Sequence, residues 1–444
     1  MNDLRGYIGL LERNNDLKIV KRTVLPKYEI AAVTAKADGS AAVLFEDIKG
    51  SDFRLVSNLV GSRKRFALGI GCRQDEIHKR VTFAIRHAKR PKTNTVGKFM
   101  QNTSKSISKL PIVTHFKKES GPFITSSIIH ARNPETKRQN SSFHRLMPID
   151  GTHLSVRMVE GRHLHRCFMD AKEHGEDLKV AITVGVHPAV SIAGAYQAEW
   201  GKDELSIANS LMDNKLTLTS LPFSNLTVPS DTEIVMEGRI LQDRTHPEWM
   251  VEMLQTYDYR RLQPVFELER LYYRNSPIFH DILSGYAEHR LLMGMPIESK
   301  LDGELKKAFK QTRQVSMTAG GCNWLHAVVQ IKKRSESDGK KIIKKTFELH
   351  RSLKQVTIVD DDIDLNDADA VEYAMATRFQ ADKDIIILKK VRGSSLDPSS
   401  DQKKLQTAKM GIDATKSLSK RPEGFELAKI PGLDKVKLDS YFGL

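Results

Sequence analysis

Two glutamates four residues apart, Glu248 and Glu252, stand in HPEWMVEMLQTYDY, with Trp249 between them and Tyr257, Asp258 and Tyr259 just beyond. Burial and mutual charge can drive two such carboxyls to different pKa values, which is how one acid stays protonated for proton donation near neutral pH. The four-residue spacing predicts a helix with both on one face; if they are merely exposed there, their repulsion costs only roughly 0.2–0.5 kcal/mol. A second concentration runs from Gln139 to Arg166, where Asn140, His144, Arg145, His153, Arg157, Arg162, His163 and His165 all fall. Read as a strand, His163-Leu164-His165 places both imidazoles on one face. That is either a polar sheet face or two ligands of a metal, and a third ligand decides between them. In GKDELSIANSL, Glu204 begins a predicted helix, where Asp203 or a neighbour can act as the cap.

These side chains need elements to position them. Helical periodicity over Leu4 to Leu17 and a strand-like AAVLFEDI open the chain, and a Lys-, Ser- and Thr-rich stretch near Lys92 to Lys109 marks a boundary. Strand patterns follow in PFITSSIIHARN, THLSVRMV and TEIVMEGRI, and VAITVGVHPAVSIAGA reads as a buried strand running into a helix. From about Ala308 the pattern is α/β again. KQVTIVDDDIDL and KDIIIL read as strands, and DAVEYAMATRF as a helix. The fold class is α+β in three regions, 1–109, 110–307 and 308–444, with no internal repeat.

At 444 residues the chain is long enough for more than one core. Cys72, Cys167 and Cys322 are odd in number and far apart, which argues against a disulfide framework or a zinc knuckle and predicts a reducing, cytoplasmic setting. The amphipathic MNDLRGYIGLLERNNDLK does not read as a signal peptide, and no apolar run approaches the roughly 20 residues of a membrane span. The formal charge of +15 raises nucleic acid as a partner. Yet acids interrupt the basic clusters at 63–65, 86–92, 332–334 and 340–345, which read as solvated surface, with anionic small molecules as the next candidates.

In five ordered blocks the chain resembles the UbiD-like decarboxylases, which use a prenylated flavin mononucleotide (prenylated FMN). The blocks are ESGPFITSSIIHARNPETKRQNSSFHR, VGVHPAV with DELSIANSL, TYDYRRLQPVFELERLYYRNSPIFHDILSGYAEHRLLMGMP, TIVDDDIDLNDADAVEYAMATRFQADKDI, and KMGIDATKS. The first hundred residues share only its general character.

The resemblance implies an N-terminal α/β domain, a central split β-barrel of the flavin-reductase type that binds the flavin, and a C-terminal α/β domain. It implies Asn140, His163 and Glu204 as ligands of Mn2+ or Mg2+, with K+ as a possible accessory ion. Phe143, His144, Arg145, Arg157, Met158, Arg162 and His163 would line the cofactor, leaving His165 as the outward member of its pair. It implies an Arg145–Glu248–Glu252 trio in which Arg145 holds Glu248 and orients the substrate carboxylate. Glu252 would supply the proton that replaces carbon dioxide, its pKa raised by desolvation and by Glu248. The family spaces its two acids five apart across a Gly-Pro-Phe-rich turn, so the four-residue spacing here puts Glu248 in question.

The substrates to expect are aromatic acids, polyprenyl hydroxybenzoates or, in an archaeal branch, trans-anhydromevalonate 5-phosphate. Arg157, Arg162, Arg260 and Arg261 favour the phosphorylated acid, since arginine suits a phosphate dianion. Expected partners are a flavin prenyltransferase as cofactor supplier and further copies of the chain, with no membrane and no nucleic acid.

Overall fold

The structure, a computed structural model, describes residues 2–94, 96–133 and 135–442. Leu4–Arg13 forms a helix capped by Asp3, and buries Leu4, Tyr7, Ile8 and Leu11 against a small mixed sheet. That sheet runs in the order Leu17–Val20, Ala42–Phe45, Arg54–Ser57, Ile278–His280. Its last strand arrives from more than two hundred residues downstream and pairs in parallel with Arg54–Ser57, so the N-terminal layer is stitched to the middle of the chain.

The middle is dominated by an eight-stranded sheet. Its path is Gln139–Phe143, Ile128–Arg132, Leu178–Val184, Ile234–Glu248, Arg261–Tyr273, His153–Val156, Leu146–Pro148, with Asn102–Ser104 added beside Arg261–Tyr273. The first and last strands of this path are neighbours in sequence, separated only by His144 and Arg145. An isolated bridge between Ile124 and Leu146 continues the pairing, so the sheet curls back on itself around a core that includes Ile129, Val180, Ile182, Met236 and Phe266. Helices Pro188–Ala195 and Glu204–Leu211 pack outside it in a second core with Phe66 and Leu291.

Ala287–Ala308 is the longest helix and joins two cores, giving Leu291, Leu292 and Met295 to one and Leu301 and Leu305 to the next. Beyond it lies a five-stranded sheet, ordered Thr312–Met317, His326–Ile331, Gln355–Asp360, Gln406–Ala414, Ile385–Arg392. Strand alternation sends Val329 and Ile358 to the face covered by helix Asp338–Leu349, and Val328 and Val359 to the face covered by helix Ala368–Arg378. The architecture is thus mixed α and β. No helix among the described residues is long and apolar enough to cross a membrane.

Two local expectations are corrected. His246 to Tyr259 is not a helix: Ile234–Glu248 is a long strand whose end pairs His246, Pro247 and Glu248 with Gln263, Leu262 and Arg261. Pro247 has no N–H to give a helix, and the ladder partners 13 to 17 residues on outweigh the local acid spacing. Residues 249–258 then form a tight loop, closed by a Val251–Tyr257 bridge and turned at Gln255, whose φ is 62°. The second correction concerns His163-Leu164-His165, which begins helix His163–Glu173 after Gly161 at φ 75°. Residues two apart on a helix are rotated by about 200°, so the two imidazoles point away from each other.

Candidate active site

Strand alternation turns Asn140, Ser142 and His144 to one side, and a relay of hydrogen bonds runs along them. Asn140 Nδ2 donates to Ser142 Oγ at 3.0 Å, and Ser142 Oγ lies 2.9 Å from His144 Nε2. On the far side of the ring, His144 Nδ1 sits 2.8 Å from the Arg157 carbonyl, which can only accept. The proton is therefore on Nδ1, and Nε2 accepts from the serine hydroxyl. Burial, with the Arg157 charge adding to it, pushes His144 down to about 4, so the ring is neutral.

The same relay fixes the amide of Asn140. With its NH2 spent on Ser142, Oδ1 faces His163 Nδ1 at 2.9 Å, and Glu204 Oε1 approaches that nitrogen at 3.9 Å. The other Glu204 oxygen accepts from the Ser141 amide at 2.9 Å, and Asp203 caps the helix that Glu204 begins. Burial lifts Glu204 to about 8. Burial and the charges of Arg166 and Arg162 hold His163 below its ordinary value, as a neutral imidazole whose Nδ1–H donates to Asn140 Oδ1 and whose tautomer would have to change for Nδ1 to ligate an ion. The Trp200 ring stands edge-on to His163 at 5.0 Å.

An amide oxygen, a neutral imidazole nitrogen and a buried carboxylate whose charge is unmatched are the donors a hard divalent ion takes. Adjacent ligands on such an ion, with bonds of about 2.1 Å, lie about 3 Å apart, close to the spacings found. The residues fit a metal. The set depends on the asparagine, because no three His, Cys, Asp or Glu side chains come together among the described residues.

At the other end of the relay lies Arg145, between the strands Gln139–Phe143 and Leu146–Pro148. Its Nε and Nη2 donate to the two oxygens of Glu248, both at 3.0 Å, while Nη1 donates to Glu252 Oε1 at 2.6 Å. Burial works against the charge on Arg145, but Glu252 and Glu248 hold its pKa above the ordinary arginine value. Glu248, at the buried end of its strand, is 1% exposed, whereas the Glu252 side chain on the loop is 21% exposed. Both acids thus meet on one guanidinium. Met250 and Met253 beside the pair are buried, whereas Tyr257 is exposed.

The loop is held from outside. Trp249 Nε1 donates to the Lys118 carbonyl at 2.6 Å, and Ser120 Oγ contacts the Trp249 backbone. Sequence reasoning missed Asp258, whose Oδ2 takes a bond from Arg145 Nη2 at 3.3 Å and lies 3.8 Å from Arg157 Nη2. Arg261 grips the same carboxylate at 3.1 Å. Burial would raise Asp258, but the Arg261 hydrogen bond and the charges of Arg145, Arg261 and Arg157 hold it below the usual carboxylate range. The signal available was an acid directly followed by a tyrosine and two arginines.

Among the other residues singled out, Phe143 packs against the helical core and Met158 is buried with its amide on Gln263. Arg162 stands apart from the Arg145 group, capping the helix of His163 and bonding Gln197 at 2.9 Å. His165 accepts a hydrogen bond from Gly161 N–H at 3.3 Å and does not join Asn140, His163 and Glu204. His153 lies with Asp150 and Glu267, and Arg260 stacks over Trp249.

The sheet thus carries donors suited to a divalent ion at one end and, at the other, an arginine shared by three acids. Comparison with known proteins gives the family. The chain matches the 3-octaprenyl-4-hydroxybenzoate carboxy-lyase N-terminal domain over residues 8–85, its Rift-related domain over 87–287 and its C-terminal domain over 290–414. It belongs to the UbiD family.

Among similar curated proteins, the anhydromevalonate phosphate decarboxylase of Methanocaldococcus jannaschii is 40% identical over 91% of this chain and 95% of its own length. That of Methanothermobacter thermautotrophicus is 38% identical over 90% and 94%. Among solved structures, the UbiD-class enzyme HmfF from Pelotomaculum thermopropionicum in complex with FMN superposes with a TM-score of 0.96 at 34% identity, covering 99% of this chain and 100% of that one. An evolved dimeric form of HmfF in complex with prenylated FMN gives 0.92 at 32%, covering all of both chains.

Proposed function

We propose that this chain is a non-oxidative decarboxylase of an α,β-unsaturated acid, converting trans-anhydromevalonate 5-phosphate to isopentenyl phosphate and carbon dioxide with prenylated FMN and Mn2+ or Mg2+. The observation that carries this reading is Arg145, bound twice by Glu248 and once by Glu252, in a chain 38–40% identical to archaeal proteins named for that activity. Residues 110–307 are the flavin-binding unit in this reading, with the curled sheet as its split barrel.

Asn140, His163 and Glu204 would hold the metal, whose charge would help to bind the anionic flavin; K+ is a candidate accessory ion. Phe143, His144, Arg157, Met158 and Arg162 line the cofactor. Bound prenylated FMN supplies the sink for the electron pair of the breaking C–C bond. Arg145 aligns the substrate carboxylate through its planar fork, and Glu252, on the more exposed side of the trio, carries the proton to the carbon that loses carbon dioxide. Glu248 keeps Arg145 in place from the buried side. Arg157, Arg260 and Arg261 are the candidates for the substrate phosphate. A flavin prenyltransferase supplies the cofactor, the protein works in the cytoplasm, and it assembles as a dimer or higher homo-oligomer.

The test is carbon dioxide release by protein co-expressed with a flavin prenyltransferase. trans-Anhydromevalonate 5-phosphate is assayed beside cinnamate and 4-hydroxybenzoate, and turnover of the phosphorylated acid is expected. Turnover of the other two alone would move the protein to the aromatic-acid branch.

A further inference from the structure

A guanidinium carries five N–H bonds in one plane. Four of Arg145's are committed: Nε and one Nη2 hydrogen to Glu248, one Nη1 hydrogen to Glu252 and the second Nη2 hydrogen to Asp258. A substrate carboxylate that engages Arg145 in the way proposed above must enter on the Nη1 side, because both other nitrogens are taken. One Nη1 hydrogen is free, and a carboxylate that takes both Nη1 hydrogens displaces Glu252, the most exposed of the three acids. At that moment the guanidinium loses one of the contacts that define its plane.

We infer that Asp258 is a positioning residue that holds the Arg145 plane during this exchange, leaving Glu252 free to carry its proton. The inference rests on the decarboxylase reading. Glu248 alone grips one edge of the guanidinium and permits a swing about that edge; Asp258 on the outer Nη2 hydrogen closes it. Asp258 is itself rigid enough for the task. Arg261 binds it from the other side, the Tyr259 amide donates to its Oδ1 at 2.8 Å, and its own amide donates to the Met250 carbonyl at 2.8 Å. The Met250 bond ties it to the loop that carries Glu252, so the acid that moves and the acid that stays share one scaffold. Arg145, Arg157 and Arg261 all lie on Asp258, and without it Arg157 and Arg261 lose the acid they pair with.

The experiment compares Asp258→Ala and Asp258→Glu with the parent as flavin-loaded enzymes, and adds a crystal structure of the alanine variant. The alanine variant should keep its flavin absorbance and melting temperature while kcat falls roughly ten- to hundredfold, the usual cost of removing a group that orients another, with KM little changed. Glutamate should restore most of kcat. In the crystal, Arg145 should turn out of the plane of Glu248. An unchanged kcat overturns the inference, as does a loss of flavin or of melting temperature that accounts for the fall, since that is a structural role. An Arg145 left in place in the alanine variant overturns it without reference to turnover. That result stands apart from an inactive parent enzyme, which would sink the functional reading instead.

Discussion

Around Arg145 each of Glu248, Glu252 and Asp258 lies within hydrogen-bonding distance of a guanidinium, whereas Glu204, buried about as deeply as Glu248, meets only the neutral His163 and a backbone amide. The consequence appears in their ionisation. Arginine charges hold Asp258 below the carboxylate range, and burial lifts Glu204 to about 8. One region has its counter-ions built in and can trade one carboxylate for another at little electrostatic cost. The other is short of a positive charge and waits for it to arrive. Ser142 and His144 link the two: their hydrogen bonds run from Asn140 to the Arg157 carbonyl, and the Arg157 side chain lies 3.8 Å from Asp258.

The sharpest way to break this contrast is at Glu252. Glu252→Gln keeps the size and the contact with Arg145 but carries no acidic proton, so kcat should fall by at least about a hundredfold with flavin and metal retained. Single-turnover rates on the loaded enzyme measure it, and a variant as fast as the parent would make the glutamate only an ion-pair partner. Arg145→Lys comes next. An ammonium cannot reproduce the two parallel bonds to Glu248 together with bonds to two other acids, so the protein should fold and hold flavin yet lose about tenfold or more in turnover. Near-normal turnover would rule out the bidentate role.

Much of the scaffold was legible. Leu178–Val184 and Gln355–Asp360 read directly as short, continuous, β-branched apolar runs, and Ala368–Arg378 as a helix from its helix-forming residue types. So did the residue types at Asn140, His163 and Glu204, through resemblance in order and spacing. The acid loop did not. Its conformation is set by pairing of His246–Glu248 with Arg261–Gln263 and by Trp249 on Lys118, contacts that leave no periodic trace in fourteen residues. Asp258 was missed for the same reason: its tie to Arg145 spans 113 positions. The helix at His163 was hidden because HxH fits a strand equally well until the turn at Gly161 is known.

The metal side tests the other half of the contrast. Glu204→Ala or His163→Ala should reduce metal affinity roughly tenfold to hundredfold and lower flavin content with it, measured by elemental analysis and absorbance of the purified protein. Retention of both by either variant would remove that residue from the site. The sign with pH follows from Glu204. Its pKa in the folded chain, about 8, lies above the ordinary 4.5, so the metal-free fold holds a proton that the unfolded chain releases. That contribution is full below pH 4.5 and is lost as pH rises toward 8, by up to about 1.4 kcal/mol per unit. A divalent ion compensates the carboxylate, so Mn2+ should raise the melting temperature more at pH 8 than at pH 6. An equal shift at both would mean that the ion binds elsewhere.

The smallest effect is expected at His165, and it tests the geometry most cleanly because its partner in sequence is predicted to matter so much. On the strand first expected, His163 and His165 share a face and both could reach one ion. On helix His163–Glu173 they diverge by about 200°, and His165 Nδ1 is occupied by the Gly161 amide in the turn that starts the helix. His165→Ala therefore removes only a local cap, a change worth about 1 kcal/mol or less in stability, and should leave metal content and kcat within about twofold of the parent. Titration of Mn2+ into His163→Ala and His165→Ala side by side measures the difference. If the two weaken binding alike, the helix does not persist in solution with the metal present, and the contrast between a finished charge cluster and a waiting one loses its metal half.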